Sequence, residues 1–304
     1  MIKLKWKFAA WLAATCASFA GTTTLFADSP RVQHVFIISY DQGNPELIRT
    51  NDLPTLNGMA SDAAHTWNAY TILPSITLPA HTSMLTGLGP QAHQILWNSY
   101  QPEKGLVKVP TIFSIAKQHG LVTAMFVGKE KFKQLELPGS LDTFVWPRPD
   151  DNAVAVAKSF AAQVATLKPN LCFIHFHDPD TVGHKFGAYA PEKIQALKDC
   201  DAALKIIKEA IAAAGLTDSS VIIITADHGS HDATDKEGKK IGAHDAGIAE
   251  DVKIPWIAWG KGVKQNFTIT ALVVQYDTAA TALWLLGIPL PENFWGRPVT
   301  SAFE

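Results

Sequence analysis

Residues 34–41 read HVFIISYD, an uninterrupted apolar run that ends in an acidic side chain. The same arrangement recurs in LCFIHFHDPD at 171–180 and in VIIITADH at 221–228. Apolar runs without alternation are typical of strands covered on both faces, as in a parallel sheet. Because ligands of open α/β sheets bind beyond the carboxyl ends of the strands, these three stretches predict both a sheet and a site at its edge.

The rest of the chain continues this pattern of strands and helices. Two further apolar runs, Val122–Gly128 and Lys253–Trp259, are predicted as strands. Apolar positions at helical spacing predict helices over Leu53–His65, Thr111–His119, Asn152–Leu167, Pro191–Ala214 and Asp277–Leu286. Strands that alternate with helices favour an α/β sandwich with a mainly parallel central sheet and helices on both faces.

The first 27 residues have the organisation of a secretory signal. Three lysines within residues 1–7 precede an apolar stretch that reaches Ala20, and small residues offer cleavage after Ala20 or Ala27. The apolar stretch is short for a membrane-spanning helix, which needs ~20 residues. We therefore expect residues 1–27 to be a signal peptide and residues 28–304 a single domain, exported to the periplasm or secreted, without a stable membrane anchor.

The net charge of the chain without its leader limits the kinds of partner that its surface can bind. Removing the three leader lysines from the 26 basic residues leaves 23 against 28 acidic residues, a net charge near −5. Without a basic stripe, such a surface is not expected to bind a nucleic-acid polymer.

Cys172 and Cys200 are either buried thiols or a disulfide, and Cys16 in the leader has a poor lipidation context.

The carboxylates and imidazoles at the strand ends form a pattern typical of a metal site. One Asp after a strand is usually a cap or a turn former. Three such strands change that interpretation, because clustered carboxylates repel each other unless a cation or a shared proton lies between them. Oxygen and imidazole ligands without thiolate suit zinc at a catalytic site, and manganese accepts the same oxygens.

A threonine is predicted at the start of a helix in LPSITLPAHTSMLTG, residues 73–87. Pro79 suits the first turn of a helix and Gly87 suits its end, which places Thr77 near the helix N-terminus. Backbone N–H groups and the helix dipole favour an anion there. A hydroxyl at this position is an ordinary helix cap in most proteins, so Thr77 alone does not decide the function.

Seven fragments along the chain form a joint pattern that is far more specific than any one of them. In chain order they are Asp41, PSITLPAH at 74–81, TGL at 86–88, Asn98, PDTVGH at 179–184, ADHG at 226–229 and GAH at 242–244. From about residue 32 to residue 300, the chain resembles the type I phosphodiesterase/nucleotide pyrophosphatase family of the alkaline phosphatase superfamily. The resemblance implies an alkaline-phosphatase-like sandwich and a catalytic role for residues 28–304.

The resemblance also implies a hydrolase with two zinc ions that cleaves phosphodiester or phosphoanhydride bonds, with Mn²⁺ or another divalent ion as an alternative. The implied ligands are Asp41, Asp227, His228 and the Thr77 hydroxyl for one ion, and Asp180, His184 and His244 for the other. Thr77 is the implied nucleophile and passes through a covalent phospho-threonine, while Asn98 donates a hydrogen bond to a phosphate oxygen. The expected partner is a small phosphate ester, with nucleotides among the candidates; no oligomeric state is implied.

Several positions depart from the family pattern. Gln42 follows the first ligand, and Asp245 follows the last one, where the family often has glycine. We expect both at the rim of the site, where they affect substrate contacts. Asp178 is a rival of Asp180 as a ligand, and Asp180 is preferred because it lies four residues before His184.

Other functions fit the sequence less well. A phosphate monoesterase or a phosphonate hydrolase would have the same ligands, so it is the main alternative. A sulfatase would need cysteine or serine at Thr77, and the glycine fingerprint of a dinucleotide-binding enzyme at residues 87–92 follows a helical pattern and is interrupted by Pro90. A binding protein without activity is disfavoured because every implied ligand and the nucleophile are present.

Overall fold

The computed structural model describes residues 29–146, 148 and 151–304. The predicted signal peptide over residues 1–27, including Cys16, lies outside them. Within the described residues, eight strands form one sheet in the order β10-β2-β9-β6-β1-β5-β3-β4, and β7 and β8 form a separate hairpin. The strands are β1 His34–Tyr40, β2 Ala64–Tyr70, β3 Thr123–Val127, β4 Thr143–Val145, β5 Leu171–Phe176, β6 Ser220–Ala226, β7 His231–Thr234, β8 Lys240–Ala243, β9 Lys253–Gly260 and β10 Phe267–Thr268.

The centre of the sheet is parallel, as the apolar runs predict. Strand β1 pairs in parallel with β5 and β6, and β3 pairs in parallel with β5 and β4. Strand β9 runs antiparallel to both β6 and β2. The carboxyl ends of β1, β5 and β6 therefore meet at one edge, because parallel neighbours end on the same side.

Both faces of the sheet are covered by apolar packing. In β1, Val35 and Ile37 belong to one buried cluster, and Phe36 and Ile38 belong to the other. Successive side chains of a strand point to opposite faces, so the uninterrupted apolar run supplies both clusters at once. All seven residues of β1 are buried.

Helices flank the sheet. They are α1 Pro45–Thr50, α2 Pro54–Ser61, α3 Thr77–Thr86, α4 Pro90–His93, α5 Ile112–Gln118, α6 Ala153–Leu167, α7 Asp178–Phe186, α8 Pro191–Ala213, α9 Ala249–Val252 and α10 Asp277–Leu285. Side-chain caps fix two of the predicted starts: Thr111 accepts the amide of Ser114, and Asn152 accepts the amide of Ala155. The predicted helices over 111–119, 152–167, 191–214 and 277–286 are confirmed to within two residues at each end.

The predicted helix Leu53–His65 is wrong in its second half. Helix α2 ends at Ser61, and Ala64 opens strand β2, which pairs with β9. The inward side chains of β2 are small or polar, and a bulge between Thr66 and Ala69 interrupts their alternation. Those two features hide the two-residue period that marks a half-buried strand.

Cys172 and Cys200 are both buried free thiols, so the alternative of a disulfide is not realised. No helix among the described residues has the length and apolarity needed to cross a membrane.

Candidate active site

The fold brings the predicted ligands to the carboxyl edge of the sheet. Asp41 directly follows β1, and Asp227 and His228 directly follow β6. Asp180 and His184 lie one turn apart on α7, which begins two residues after β5. His244 follows β8, the second strand of the separate hairpin. These six side chains form one connected cluster.

Asp180, His184 and His244 face one another closely. The Nε2 atoms of His184 and His244 lie 3.2 and 3.7 Å from Asp180 Oδ1, and 3.3 Å from each other. Ligand atoms bound at ~2.0–2.1 Å to a tetrahedral ion are roughly 3.3–3.4 Å apart. The spacing of these three atoms therefore fits one zinc ion or a similar divalent ion.

The other predicted ligands hold three buried polar atoms without a hydrogen-bond partner. These atoms are Asp41 Oδ1, Asp227 Oδ2 and His228 Nε2. His228 Nε2 lies 3.6 Å from Asp41 Oδ1 and 3.3 Å from Asp227 Oδ2. Because unpaired buried polar groups are costly, their convergence on one point fits a bound cation. Asp180 also lies within 4.8 Å of Asp41 and His228, so this carboxylate adjoins both sets.

Each imidazole is oriented by its second nitrogen. The Nδ1 atoms donate to backbone carbonyls, namely Gly242 O for His184, Ser75 O for His244 and Gly229 O for His228, at 2.8–3.0 Å. This bond fixes the tautomer of the neutral ring, in which the Nε2 lone pair faces the cluster. In His184, the hydrogen bond to Asp180 raises the pKa, so a metal ion would displace a proton there. The backbone thus prepares all three rings in the form that a metal ion needs.

Lys129 partly neutralises the cluster. Its Nζ lies 2.6 Å from Asp41 and 2.6 Å from Asp180. Burial opposes ionisation of both carboxyls, but the lysine charge on each and the hydrogen bond from His175 to Asp41 hold their pKa values well below the usual range. Burial, reinforced by the charge of Asp41, raises the pKa of Asp227 well above its usual value. One ammonium is therefore insufficient for three buried carboxylates, and a divalent cation would supply the missing charge.

Gln42 lies inside the site, so its expected position at the rim is wrong. It is fully buried; its amide N–H donates to Asp227 Oδ1 and its Nε2 donates to Asp180 Oδ1, at 3.0 and 3.1 Å. Lys193 Nζ in turn donates to Gln42 Oε1 at 2.6 Å. The side-chain amide thus links Asp180 to Lys193, a contact that glycine could not make, whereas the bond to Asp227 comes from the backbone N–H. Asp245 is exposed, as expected, and accepts the amide of Ser75.

Thr77 is the first residue of α3 and is buried. Its carbonyl contacts His81 Nδ1, which lies 3.5 Å from Asp227 Oδ2 of the cluster. Ile76 occupies the N-cap position of α3 and makes no side-chain hydrogen bond. Thr77 lies one residue further along and therefore does not serve as the helix cap. Asn98 Oδ1 accepts the amide of Leu78, the next residue, at 2.9 Å. The threonine, the amide of Asn98 and the helix N-terminus are thus grouped as an anion site requires.

The remaining candidates near the site have structural partners. Asp178 accepts the amide of Ala153 at the start of α6 and does not join the carboxylate cluster. His175 contacts Asp41, and burial lowers its pKa to about 4, so the ring is neutral. His81 contacts Ser39 and the carbonyl of Thr77.

Sequence reasoning missed the lysines of the site. Lys129 and Lys131 follow β3 in the segment VGKEKFK, so the fourth strand end also delivers polar side chains to the same edge. A search of every strand end for charged residues of either sign would have found both. Lys193 carries no such signal, because it lies in the first turn of a long amphipathic helix.

The chain matches the family model described as "Type I phosphodiesterase / nucleotide pyrophosphatase" over residues 35–271. Among curated proteins, it is similar to human ectonucleotide pyrophosphatase/phosphodiesterase family member 7, with 23% identity over 69% of this chain and 50% of that protein. It is also similar to the venom phosphodiesterase of Naja atra, with 24% identity over 72% of this chain and 28% of that protein. The chain therefore spans half or less of the length of these relatives.

Solved structures show the same fold. Murine ectonucleotide pyrophosphatase/phosphodiesterase 5, as an inactive variant in complex with AMP, superposes with a TM-score of 0.76 at 16% identity, covering 90% of this chain and 100% of that chain. A 2-O glycosaminoglycan sulfatase superposes with a TM-score of 0.72 at 15% identity, covering 90% and 74%. The mainly parallel sheet between helices is thus the expected alkaline-phosphatase-like sandwich. Since the family model covers most of its length, the chain belongs to the type I phosphodiesterase/nucleotide pyrophosphatase family.

Proposed function

We propose that the protein is an exported metallohydrolase that cleaves phosphodiester or phosphoanhydride bonds of small substrates, nucleotides among them, with two zinc ions and Thr77 as the nucleophile. The observation that carries this proposal is the convergence of three unpartnered buried atoms, Asp41 Oδ1, Asp227 Oδ2 and His228 Nε2. They lie at the sheet edge where α3 presents its first residue, Thr77.

The donor set supports two ions. Asp180, His184 and His244 would hold one, and Asp41, Asp227 and His228 with the Thr77 hydroxyl would hold the other. Mixed carboxylate and imidazole ligands suit zinc in sites that keep an open position. When bound, such ions supply positive charge that lowers the pKa of the threonine hydroxyl and of water.

The residues of the chain supply positioning. Thr77 is held at the N-terminus of α3, so the backbone N–H groups and the dipole of that helix favour an anionic group in front of it. Its hydroxyl makes no hydrogen bond within the described residues, which leaves the oxygen free for attack. The Nδ2 of Asn98 would donate to a non-bridging phosphate oxygen. Such fixed donors stabilise charge that develops during the reaction.

This arrangement supports a covalent step through Thr77. The Thr77 oxygen gives its proton to solvent water and forms a bond to phosphorus, while the bond from phosphorus to the leaving oxygen breaks and that oxygen takes the electron pair. Water then attacks the phospho-threonine, releases the phosphate product and returns a proton to Thr77. Both displacements are in line, so the leaving group and the attacking water use the same open side of the site.

A phosphate monoesterase or phosphonate hydrolase is the second candidate. It would use the same ligands and the same nucleophile, and the lysines after β3 favour a substrate with more negative charge than a diester.

Replacement of Thr77 tests the nucleophile. We expect Thr77→Ala in zinc-loaded protein to lower turnover of a p-nitrophenyl nucleotide diester by roughly 10⁴-fold or more. Thr82→Ala is the matched control, because it removes the same hydroxyl from the same helix, where it only donates to the carbonyl of Leu78. Equal activity in the Thr77→Ala variant and the wild type would overturn the covalent mechanism.

A further inference from the structure

Lys131 is a cation in the site without an acidic partner. It lies in the 3₁₀ segment Glu130–Leu135, directly after β3, and its side chain is half-buried. Its Nζ donates to Asn98 Oδ1 at 2.9 Å. Among the described residues no carboxylate lies within 4 Å of this ammonium, whereas Lys129 contacts two carboxylates. The positive charge of Lys131 is therefore not paired with a carboxylate and is available to a bound anion.

The contact with Asn98 shows where this charge acts. Asn98 Oδ1 accepts two hydrogen bonds, from the Lys131 ammonium and from the amide of Leu78, both at 2.9 Å. These donors fix the orientation of the side-chain amide, and its Nδ2 makes no hydrogen bond to the described residues. Leu78 follows Thr77, so Nδ2 and the Lys131 ammonium are adjacent donors beside the nucleophile.

Burial makes this position costly for an unpaired charge. It lowers the pKa of Lys131 to about 8, together with the like charge of Lys129 and against the attraction of the three site carboxylates. A phosphate group bound beside the ammonium would offset that cost. A buried cation next to a nucleophile is thus typical of a site that binds an anion, because the bound anion offsets the cost of burial.

The number of anionic oxygens distinguishes the candidate substrates. A diester under attack has two non-bridging oxygens that share one negative charge. A monoester has three, which share up to two charges near neutral pH. Asn98 and the helix N-terminus are neutral donors, whereas an ammonium stabilises the additional charge.

We infer that Lys131 is a specificity-determining residue that binds the additional anionic oxygen of a phosphate monoester, so that the site accepts monoesters beside diesters. This inference rests on the proposed function, because it assumes phosphoryl transfer to Thr77.

The test is the ratio of kcat/KM for p-nitrophenyl phosphate to kcat/KM for a p-nitrophenyl nucleotide diester, in zinc-loaded protein. We expect Lys131→Met and Lys131→Gln to lower this ratio about 10- to 100-fold, the range of one charged hydrogen bond. Lys131→Arg keeps the charge and should retain most of the ratio. Lys133→Met is the matched control, because Lys133 pairs with Glu130 at 3.0 Å and lies over Trp146.

A binding measurement separates this inference from the proposed function. In the Thr77→Ala background, Lys131→Met should weaken binding of inorganic phosphate about 10-fold or more by calorimetry. If the wild type hydrolyses neither ester, the proposed function fails, and the phosphate titration still decides the role of Lys131. If the ratio and phosphate binding are both unchanged by Lys131→Met, Lys131 does not contact the phosphate.

Discussion

Lys193 illustrates at the residue scale how the site affects stability. It is fully buried on α8, and its Nζ contacts Gln42 Oε1 and Ser230 Oγ at 2.6 and 2.7 Å. No carboxylate lies within 4 Å of it among the described residues. Burial lowers the pKa of Lys193 to about 7, and the attraction of Asp180 and the other site carboxylates offsets only part of that effect.

This shift predicts a pH-dependent stability in the metal-free protein. Between about pH 7 and the ordinary lysine pKa of 10.5, the unfolded chain binds the proton of Lys193 more tightly than the native protein does. Stability therefore rises with pH in this window. We expect wild type to gain about 1 kcal/mol of unfolding free energy over Lys193→Met between pH 7 and pH 8. Urea unfolding of both proteins in the presence of a chelator measures this gain. A difference in unfolding free energy that is the same at pH 7 and pH 8 would contradict the prediction.

At the element scale, the C-terminus of α3 anchors the helix that carries Thr77. Gly87 ends α3 in the left-handed conformation, with φ of 70°. Its carbonyl accepts the amides of Trp295 and Gly296, at 2.9 and 3.2 Å. A Cβ at this position would lie 2.5 Å from the ring of Phe294. Only glycine satisfies both the backbone and the packing here.

Two glycine substitutions separate the cost of the left-handed backbone from the cost of the contact with Phe294. Gly87→Ala combines the left-handed backbone cost with a ring clash, so we expect roughly 2–5 kcal/mol of destabilisation. Gly120→Ala is the control, because its φ is 74° and a Cβ there has no atom within 4 Å. It should cost only about 1–2 kcal/mol. Equal unfolding temperatures for the two variants would show that the Phe294 contact yields without cost.

Compensation of charge is a property of the whole molecule, because the three carboxylates and Lys129 follow four different strands, β1, β5, β6 and β3. Without metal, Lys129 is the cation nearest to Asp41 and Asp180. With divalent ions bound, the same ammonium would be close to like charges. The proposed ions and Lys129 are therefore alternative partners of these carboxylates.

Because Lys129 and the proposed ions are alternative partners of the same carboxylates, the loss of stability on replacing Lys129 should depend on whether metal is bound. In chelator, Lys129→Met leaves buried carboxylates unpaired, which costs about 3–5 kcal/mol, or roughly 10 °C in unfolding temperature. With zinc present, the loss should nearly disappear. Lys117→Met, which breaks a pair with Asp142 near the surface, should cost less than about 1 kcal/mol in both conditions. An equal loss from Lys129→Met with and without zinc would indicate that ions do not bind between these carboxylates.

The sequence by itself determined five neighbouring strands of the sheet, β9, β6, β1, β5 and β3, and the edge at which the predicted ligands lie. Uninterrupted apolar runs are visible without a structure, and a polar residue after such a run must lie at the sheet edge. That argument located Asp41 and Asp227, and the joint motif pattern gave the family. The single domain over residues 28–304 and the export of the chain stay predictions.

Only the tertiary structure decided which side chains compensate one another. Gln42 enters the site because Lys193, 151 positions away, fixes its amide. Lys129 lies between two carboxylates that are distant in sequence, and Asp178 turns away to cap α6 although it is two residues from Asp180. These outcomes depend on distances of a few ångströms between separate elements. Local pattern cannot encode such distances, because charge and burial act through space rather than along the chain.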